Sequence, residues 1–381
     1  MTPAVSFDLT DFQKQVQFAA RTLGTQCEPY ADAADASREI HREVRELLRT
    51  SELVRHVVPR AFGGHDDELS PLTVATIREA LMYSSAHLDS LFAMQGAGSY
   101  PITVGGSEEL RKAWLPRVAA LDVIAGIALT EPGVGSDLRG VSTVIEPVSG
   151  GLRVRGRKSF ITNGGAADYY CVLGREGDGY SMVLVPAEAP GLTTERGPDL
   201  IAPHVLGELQ FEDVVVPSDN RLGVAGEGFR LMLRTLAVFR VSVAGSAVGL
   251  AQAALDEAVA HTAGRQQFGR PLIEIGAVSQ SLAMSWAEVE TARAITYRAA
   301  ALAQSDPLRH LDLSSIAKIS ATEAAGRVVD RAVQAMGRFG LVRGSKIERL
   351  YRNARPGRIY EGATEVLLDS LSRRLAKGPR P

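Results

Sequence analysis

The spacing of apolar residues changes twice along the chain, and this change constrains the fold more than any other feature. In residues 1–122 the spacing is helical: Ile40 and Val44, for example, lie four positions apart on one helix face. Residues 123–226 contain short alternating runs rich in β-formers, separated by Gly, Pro and Asp. In residues 227–381 the spacing is helical again. The sequence therefore predicts a mostly α protein with a central β domain between two helical domains.

The last of these zones contains three long helical segments followed by one short segment. The long segments cover residues 229–264, 275–304 and 313–338, with Pro271 and Pro307 as breakers between them. A helix of about 30 residues is about 45 Å long, which is too long for one small core. We therefore expect these helices to pack in a bundle, and such bundles often cross a subunit interface.

Composition excludes several classes of protein. The 42 Lys and Arg residues against 44 Asp and Glu residues give a net charge of −2, which argues against a globally basic nucleic-acid binder. No uninterrupted apolar run approaches the roughly 18 residues of a membrane span, so none is expected. The first residues lack the pattern of a secretory signal. Because Cys27 and Cys171 are far apart, we expect free thiols and a cytoplasmic location.

Two glycine-containing segments each have two interpretations. In LTEPGVGSD (129–137), the exposed N–H groups and hydroxyls could bind a phosphate or a polar ring edge, or the segment could be a plain turn. It is not a dinucleotide-binding fingerprint. In KSFITNGG (158–165), Asn-Gly-Gly is first of all a hairpin signal. The functional alternative is that Phe160 and Thr162, on one strand face, contact a planar ligand.

Two further segments contain charged residues with open roles. In RQQFGRPL (265–272), Arg265 and Arg270 either cap a helix or contact a pyrophosphate. In RIYEGATEV (358–366), Glu361 is either a solvated residue or, in an apolar setting, a general base with a raised pKa. The seven histidines are dispersed and form no HExxH motif, so no metal site is predicted.

Taken together and in this order, the motifs resemble those of the acyl-CoA dehydrogenase family of flavoproteins over nearly the whole chain. The motifs that carry the resemblance are ALTEPGVGSD (128–137), KSFITNGG (158–165), LQFEDVVVP (209–217), GRQQFGRPL (264–272) and RIYEGATEV (358–366). The resemblance implies a helical N-terminal domain (1–122), a β-barrel-like middle domain (123–226) and a C-terminal four-helix bundle (227–381). It also implies that FAD binds between them.

By this resemblance, ten residues are expected to contact FAD. They are Ile127, Leu129, Thr130, Ser136, Phe160, Thr162, Arg265, Phe268, Gln334 and Tyr360. Thr130 would hydrogen-bond the flavin ring, and Thr162 would lie near its reducible nitrogen. Arg265 and Phe268 resemble a pair that reaches the FAD of a neighbouring subunit, and Gln334 resembles a contact to its pyrophosphate region. A shared site of this kind implies a dimer at least, and a homotetramer is common in the family.

The resemblance also implies a reaction, the α,β-dehydrogenation of an acyl thioester. Glu361 would take the α proton while the β hydride passes to flavin, and its own N–H would polarise the thioester carbonyl. Some relatives place the base one residue before the position of Arg240, but Phe239 in this chain cannot accept a proton. The substrate contacts implied are Tyr100, Ser136, Arg240 and Gly362.

Substrate and partners are less sharply specified. Tyr100, near the expected pocket floor, favours a short or branched acyl chain, carried on coenzyme A or on acyl carrier protein. An electron-transfer flavoprotein is the expected electron acceptor. An oxygen-using flavin monooxygenase or oxidase on the same fold is the alternative function, and a scaffold that has lost flavin is a third, motivated by Ala363 and Arg338. His204 is either a surface-loop residue or a sign of an altered substrate.

Overall fold

The computed structural model describes residues 9–378. The expected absence of a secretory signal rests partly on residues 1–8, which lie outside the described residues. The N-terminal zone is helical, and its helices are α1 (Asp11–Asp35), α2 (Arg42–Thr50), α3 (Pro71–Met82), α4 (Ala86–Gly105) and α5 (Glu108–Ala119). Serine and threonine side chains start four of them by accepting a hydrogen bond from an N–H of the first turn: Thr10, Ser70, Ser85 and Ser107.

The middle zone forms one mixed sheet, as its alternating runs predict. Its strands are β1 (Ala125–Ala128), β2 (Val144–Val148), β3 (Gly151–Thr162), β4 (Tyr169–Glu176), β5 (Gly179–Pro186), β6 (Leu192–Arg196), β7 (Leu206–Val216) and β8 (Arg221–Leu222). The hydrogen-bonded order is β6-β7-β3-β2-β4-β5-β8, and β1 pairs in parallel with β4. Strands β4 and β5 are almost entirely buried, which places the core of this zone toward the β8 end of the sheet.

The hairpin predicted at Asn163-Gly164-Gly165 is wrong. Strand β3 ends at Thr162, but the next strand, β4, is two places away because β2 lies between them. The Asn163 N–H donates to the Val205 carbonyl at 2.9 Å, and its side-chain amide donates to the Ala125 carbonyl at 3.1 Å. The turn therefore links β1 to the loop before β7, since turn residues fix a change of direction without fixing the next strand's partner.

The C-terminal zone contains the three long helices that the sequence predicts. They are α6 (Gly228–Gly264), α7 (Gly276–Ala303) and α8 (Leu311–Met336). A short antiparallel pair, β9 (Gln266–Gln267) and β10 (Arg270–Pro271), follows α6. The predicted single short helix at the end is instead two, α9 (Lys346–Gly357) and α10 (Thr364–Leu375). The break between them, residues 358–363, contains Glu361 and begins just after Pro356, near the end of α9.

Helix α6 lies at the centre of the helical layers and packs against α3, α7 and α8. By length and composition it could cross a membrane, but 78% of its most apolar 18-residue window is buried inside the protein, as in a core helix. Glycines allow α3 to approach closely: a Cβ at Gly245 or Gly249 would overlap the backbone of Ala75 or Glu79. The backbones of α3 and α6 are therefore in close contact at these two glycines.

The close approach at Gly249 can be tested by adding one methyl group. Gly249→Ala should destabilise the protein by about 1–3 kcal/mol, because α3 must move away from α6. Gly264→Ala is the matched control, since a Cβ there meets no atom of the described part of the chain within 4 Å. It should change stability by less than about 0.5 kcal/mol. Thermal and denaturant unfolding of both variants measures the difference, and equal stability would show that the helices have room to spare.

Candidate active site

The loop between α9 and α10 has an unusual backbone. Glu361 lies in the left-handed region with φ 57°, and Gly362 follows with φ 102°. Few residues other than glycine adopt such angles, and they persist only where surrounding groups fix them. Two buried cations do so here: Arg240 Nε donates to the Glu361 carbonyl at 2.8 Å, and Lys318 Nζ donates to the Gly362 carbonyl at 2.7 Å. The loop is thus held by α6 and α8.

The Glu361 carboxyl is in an environment that suits a base. Its Oε2 atom is buried and, among the described residues, has no hydrogen-bond partner. Burial raises the pKa of Glu361 above its ordinary value, and the positive charges of Arg240, Arg78 and Lys318 oppose this rise. Burial has the larger effect, so the Glu361 carboxylate binds a proton more readily than a carboxylate in water does.

A buried polar network supports α6 behind this loop. Arg78 on α3 donates to both carboxylate oxygens of Asp89 on α4, at 2.9 and 2.7 Å, and to the Ser242 hydroxyl at 2.9 Å. Ser246 donates to the same aspartate at 2.8 Å. The network joins three helices close to Arg240. The motifs in the sequence did not predict this network, although an Arg and an Asp within strongly apolar helices are a signal of buried charges.

The segment after β1 is fixed to β3 by a second buried network. Lys158 Nζ donates to the Leu129 carbonyl and to Glu131 Oε1, both at 2.9 Å. The Ser159 N–H donates to the Thr130 carbonyl at 3.0 Å. Leu129 and Thr130, two of the predicted flavin contacts, are therefore held against the strand that carries Phe160 and Thr162.

Both members of the Lys158–Glu131 pair are charged at neutral pH. Burial opposes ionisation of Glu131, but hydrogen bonds from Ser142 and Thr143 and the charge of Lys158 lower its pKa to about 2. Burial lowers the pKa of Lys158 to about 8, against the attraction of Glu131. The pair costs free energy to desolvate, and its many hydrogen bonds offset that cost.

Phe160 and Thr162 lie at an irregular end of β3. The pairing register with β7 shifts between Lys158 and Ile161, and Phe160, at φ 54°, is 53% exposed. Thr162 Oγ1 lies 3.2 Å from His204 Nε2, which is also 3.5 Å from the Ser90 hydroxyl. Burial lowers the pKa of His204 to about 4, so its ring is neutral at pH 7. His204 thus touches a predicted site residue and is not a free surface-loop histidine.

A cleft of about 580 Å³ brings Ser136 and Arg240 together. Helix α6 supplies one apolar wall, through Phe229, Met232, Leu233 and Leu236. Charged side chains of both signs also line the cleft: the cations Arg139, Arg373, Arg374 and Lys377, and the carboxylates Asp137, Asp312 and Asp369. Arg373 is paired with Asp369, and Arg374 is paired with Asp312. Within the described residues, Arg139 and Lys377 form no ion pair. An apolar wall beside two such cations suits an elongated ligand that has an uncharged part and a phosphate group.

Tyr100 lies on α4, close to the residue that precedes Arg240. The Tyr100 ring is buried and meets the Phe239 ring edge-on, with the ring centroids 6.0 Å apart. A Cβ at Gly96 would lie 2.6 Å from the Phe239 ring, so only glycine leaves room for this aromatic. The two rings fill the space between α4 and α6.

Three of the predicted flavin contacts lie far from Glu361 within one chain. Arg265 caps the end of α6 and stacks on the Phe339 ring at 5.1 Å. It follows Arg240 by 25 positions, which corresponds to about 37 Å along a helix. Phe268, at the tip of the β9–β10 pair, is 91% exposed with φ 53°, and Gln334 is exposed near the end of α8.

The two remaining predicted contacts lie nearer the loop and the sheet. Tyr360 directly precedes Glu361 and is 44% exposed. Ile127 is half-buried in β1, opposite Cys171 of β4. Helix α4 connects these two regions, because Gly98 packs against Gly126 in β1 while Gly96 packs against α6. Across residues 9–378, no group of three or more His, Cys, Asp or Glu side chains could hold a metal ion.

Comparison with known proteins agrees with this architecture. Residues 10–122, 126–214 and 226–376 match the N-terminal, middle and C-terminal domain models of acyl-CoA dehydrogenase. A cyclohexane-1-carbonyl-CoA dehydrogenase from Geobacter metallireducens is 32% identical over 92% of this chain and 93% of its own length.

Two solved structures superpose on nearly the whole chain. The butyryl-CoA dehydrogenase of Megasphaera elsdenii has a TM-score of 0.92 and 30% identity, covering 98% of this chain and all of that one. A chain from a structure titled for the electron transferring flavoprotein of Acidaminococcus fermentans also reaches 0.92, with 28% identity, covering 97% of this chain and 99% of that one. The matched models cover well over half of the sequence, and the chain belongs to the acyl-CoA dehydrogenase family.

Proposed function

We propose that this protein is an FAD-dependent α,β-dehydrogenase of an acyl thioester, with Glu361 as the general base. The buried, unpartnered Glu361 oxygen carries the proposal, because it lies on a loop bound by Arg240, which also lines the cleft. A thioester α C–H is too weak an acid for a carboxylate in water. Burial makes Glu361 a stronger base, and it takes the α proton as the α,β double bond forms. FAD, when bound, accepts the β hydride.

The chain offers suitable groups for a flavin ring. Phe160 presents an exposed aromatic side chain, and Thr162 a hydroxyl with His204 as partner. The Leu129–Thr130 backbone is held beside them by buried hydrogen bonds. An apolar face next to hydroxyl and peptide groups fits a planar ring with polar edges. These residues would hold the ring, and Ile127, Ser136 and Tyr360 are proposed to complete its contacts.

The loop also offers donors for the thioester carbonyl. The Glu361 carbonyl faces Arg240, so in a trans peptide the Gly362 N–H points away from that arginine. Within residues 9–378, neither the Glu361 nor the Gly362 N–H has a protein acceptor. A free N–H beside the base can stabilise the negative charge that develops on the carbonyl oxygen as the α proton leaves.

Replacing the base tests the proposal directly. Glu361→Gln should bind FAD normally, yet under anaerobic conditions a saturating thioester should reduce its flavin at least about 100-fold more slowly, because general-base catalysis is lost. In the parent enzyme this rate should rise with pH through a pKa above the ordinary glutamate value, since burial raises the pKa of Glu361. The variant should lose that dependence. Stopped-flow absorbance at different pH values measures both effects.

Glu365→Gln is the matched control, because that carboxyl is exposed on α10. It should keep the parent rate. If Glu361→Gln reduces its flavin as fast as the parent enzyme, the assigned base is wrong. Fast oxygen consumption by the reduced enzyme would instead favour the monooxygenase or oxidase alternative.

We propose a short or branched acyl chain as the substrate. The packed Tyr100 and Phe239 rings would close the inner end of the acyl site. The relative from Geobacter metallireducens is named for cyclohexane-1-carbonyl-CoA, an acyl group that is branched at its α carbon. Arg139 and Lys377, the cleft cations that form no ion pair within the described residues, suit the phosphates of coenzyme A and the phosphopantetheine of a carrier protein alike.

Tyr100→Ala should shift the chain-length preference. Removing the ring opens space at the inner end, so kcat/KM for longer thioesters should rise at least about tenfold relative to short ones. Steady-state rates against straight and branched thioesters on both carriers measure this. Tyr351→Ala, which removes a half-exposed ring on α9, is the control. An unchanged preference in Tyr100→Ala would show that the ring does not limit chain length.

We propose that the active protein is a homo-oligomer, a dimer or tetramer, that passes electrons to an electron-transfer flavoprotein. Two observations support the oligomer. Arg265 and Gln334 lie far from Glu361 within one chain, and Phe268 is an exposed apolar ring at a left-handed backbone position in a turn. In a free subunit, a phenyl ring that is 91% exposed leaves apolar surface in contact with water, which is unfavourable. Burial against a second copy would explain it, and there it could reach that copy's FAD.

Phe268→Ala should therefore weaken assembly and FAD retention together. Loss of one buried phenyl ring, about 1.5–3 kcal/mol, should weaken FAD binding at least about tenfold. Phe18→Ala removes another exposed ring, 73% exposed on α1, and should leave both properties unchanged. Sedimentation velocity and FAD titration of the stripped protein measure them. A monomeric parent protein that holds FAD tightly would contradict the proposal.

A further inference from the structure

Lys318 is a buried cation that the proposed reaction does not yet use. Its side chain, on α8, is fully shielded from solvent, and its Nζ donates to the Gly362 carbonyl at 2.7 Å. Within the described residues it forms no ion pair with a carboxylate. Burying an ammonium group without such a pair is costly, and an apolar side chain would pack there at lower cost. The charge at this position therefore calls for a functional explanation.

The geometry links Lys318 to the base through the backbone. Lys318 and Arg240 bind the carbonyls of two consecutive residues, Gly362 and Glu361. Arg240 Nη1 also donates to the hydroxyl of Ser315, one turn before Lys318 on α8, at 3.3 Å. Helix α8 therefore carries one of the cations, Lys318, and contacts the other, Arg240, through Ser315. Together they draw the two carbonyls inward and hold the left-handed turn that directs the Glu361 side chain.

Of the carboxyl groups near Lys318, Glu361 is the one best placed to be its electrostatic partner. Glu361, Glu323 and Glu365 are the carboxyls that act on it, and Arg240 is the opposing cation. Glu323 already accepts hydrogen bonds from Arg358 and Thr364, and Glu365 is exposed. Of these three carboxyls, only Glu361 has a buried oxygen without a hydrogen-bond partner in residues 9–378.

On the Glu361 side, the cations that act on the carboxyl are Arg240 from α6, Arg78 from α3 and Lys318 from α8. Arg78 is already paired with Asp89. Burial lowers the pKa of Lys318 to about 8, so this side chain is still charged at neutral pH. It can therefore act on Glu361 both through the loop and through its charge.

We propose that Lys318 is a positioning residue for the base: it holds the Gly362 carbonyl so that the Glu361 carboxyl faces the substrate, and its charge favours the ionised carboxyl before proton abstraction. The inference rests on Glu361 acting as the general base. Lys318 itself does not touch the reacting atoms. No covalent step is added, since the proton still moves from the α carbon to Glu361.

Two variants separate the two effects. Lys318→Met removes both the donor and the charge, and Lys318→Gln keeps a donor without the charge. In both, the pH midpoint of anaerobic flavin reduction should move up by about one unit, because an opposite charge near a carboxyl lowers its pKa. At pH values above that midpoint, Lys318→Gln should recover most of the parent rate, whereas Lys318→Met should remain about tenfold slower. The apparent dissociation constant of the thioester should change little in either.

A second readout does not depend on activity. In FAD-free protein, the infrared band of the protonated Glu361 carboxyl, assigned by difference from Glu361→Gln, should persist to higher pH in both Lys318 variants. Lys112→Met is the control, because Lys112 forms an exposed pair with Glu108 on α5. It should keep the parent midpoint in both measurements.

A parent-like midpoint in both Lys318 variants would overturn the proposal. Should Lys318→Met fail to fold, as judged by thermal unfolding, the midpoint of Lys318→Gln alone decides. Failure of the proposed function has a different signature. In that case Glu361→Gln reduces its flavin as fast as the parent enzyme, whatever the infrared titration of the Lys318 variants shows.

Discussion

The hydrogen bonds from two buried cations to consecutive carbonyls determine the geometry of the candidate site. Without Arg240 and Lys318, the backbone at Glu361 and Gly362 would have no reason to remain in the left-handed region. The two cations come from α6 and α8, and α6 is in turn fixed to α3 and α4 by the Arg78–Asp89 network. The placement of one carboxyl group therefore depends on the packing of four helices, α3, α4, α6 and α8, and the glycines of α6 make part of that packing possible.

Arg240 also connects the two positions that the resemblance in sequence suggests for a base. Phe239 precedes it in sequence, and Glu361 is joined to it by a hydrogen bond. A base at either position would stand beside the same guanidinium. In this chain the first position carries an aromatic ring that packs on Tyr100 and faces Gly96. In the proposed function, the helix position would therefore form the apolar end of the site, and the loop would supply the carboxyl.

Much of the fold could be predicted from the sequence. The spacing of apolar residues is a local property, and it can be recognised without knowing which other segments the residues contact. The three long C-terminal helices and the change to strands are of this kind. The hairpin at Asn163 was wrong since turn residues do not specify which strand follows as neighbour. The contact of His204 with Thr162 and the pair of Lys158 with Glu131 join residues 42 and 27 positions apart. No local pattern predicts such long-range contacts.

The buried charges have a common physical role. Arg78, Lys158, Arg240 and Lys318 are all buried, and apolar side chains would desolvate at lower cost in their places. Each instead binds a backbone carbonyl or a carboxylate close to a residue that the proposed reaction uses. Such contacts restrict the backbone more tightly than apolar packing does, because a hydrogen bond depends on direction as well as distance. Burying these charges costs stability, and in return it fixes two segments that the proposed function uses: the Leu129–Thr130 segment and the Glu361 loop.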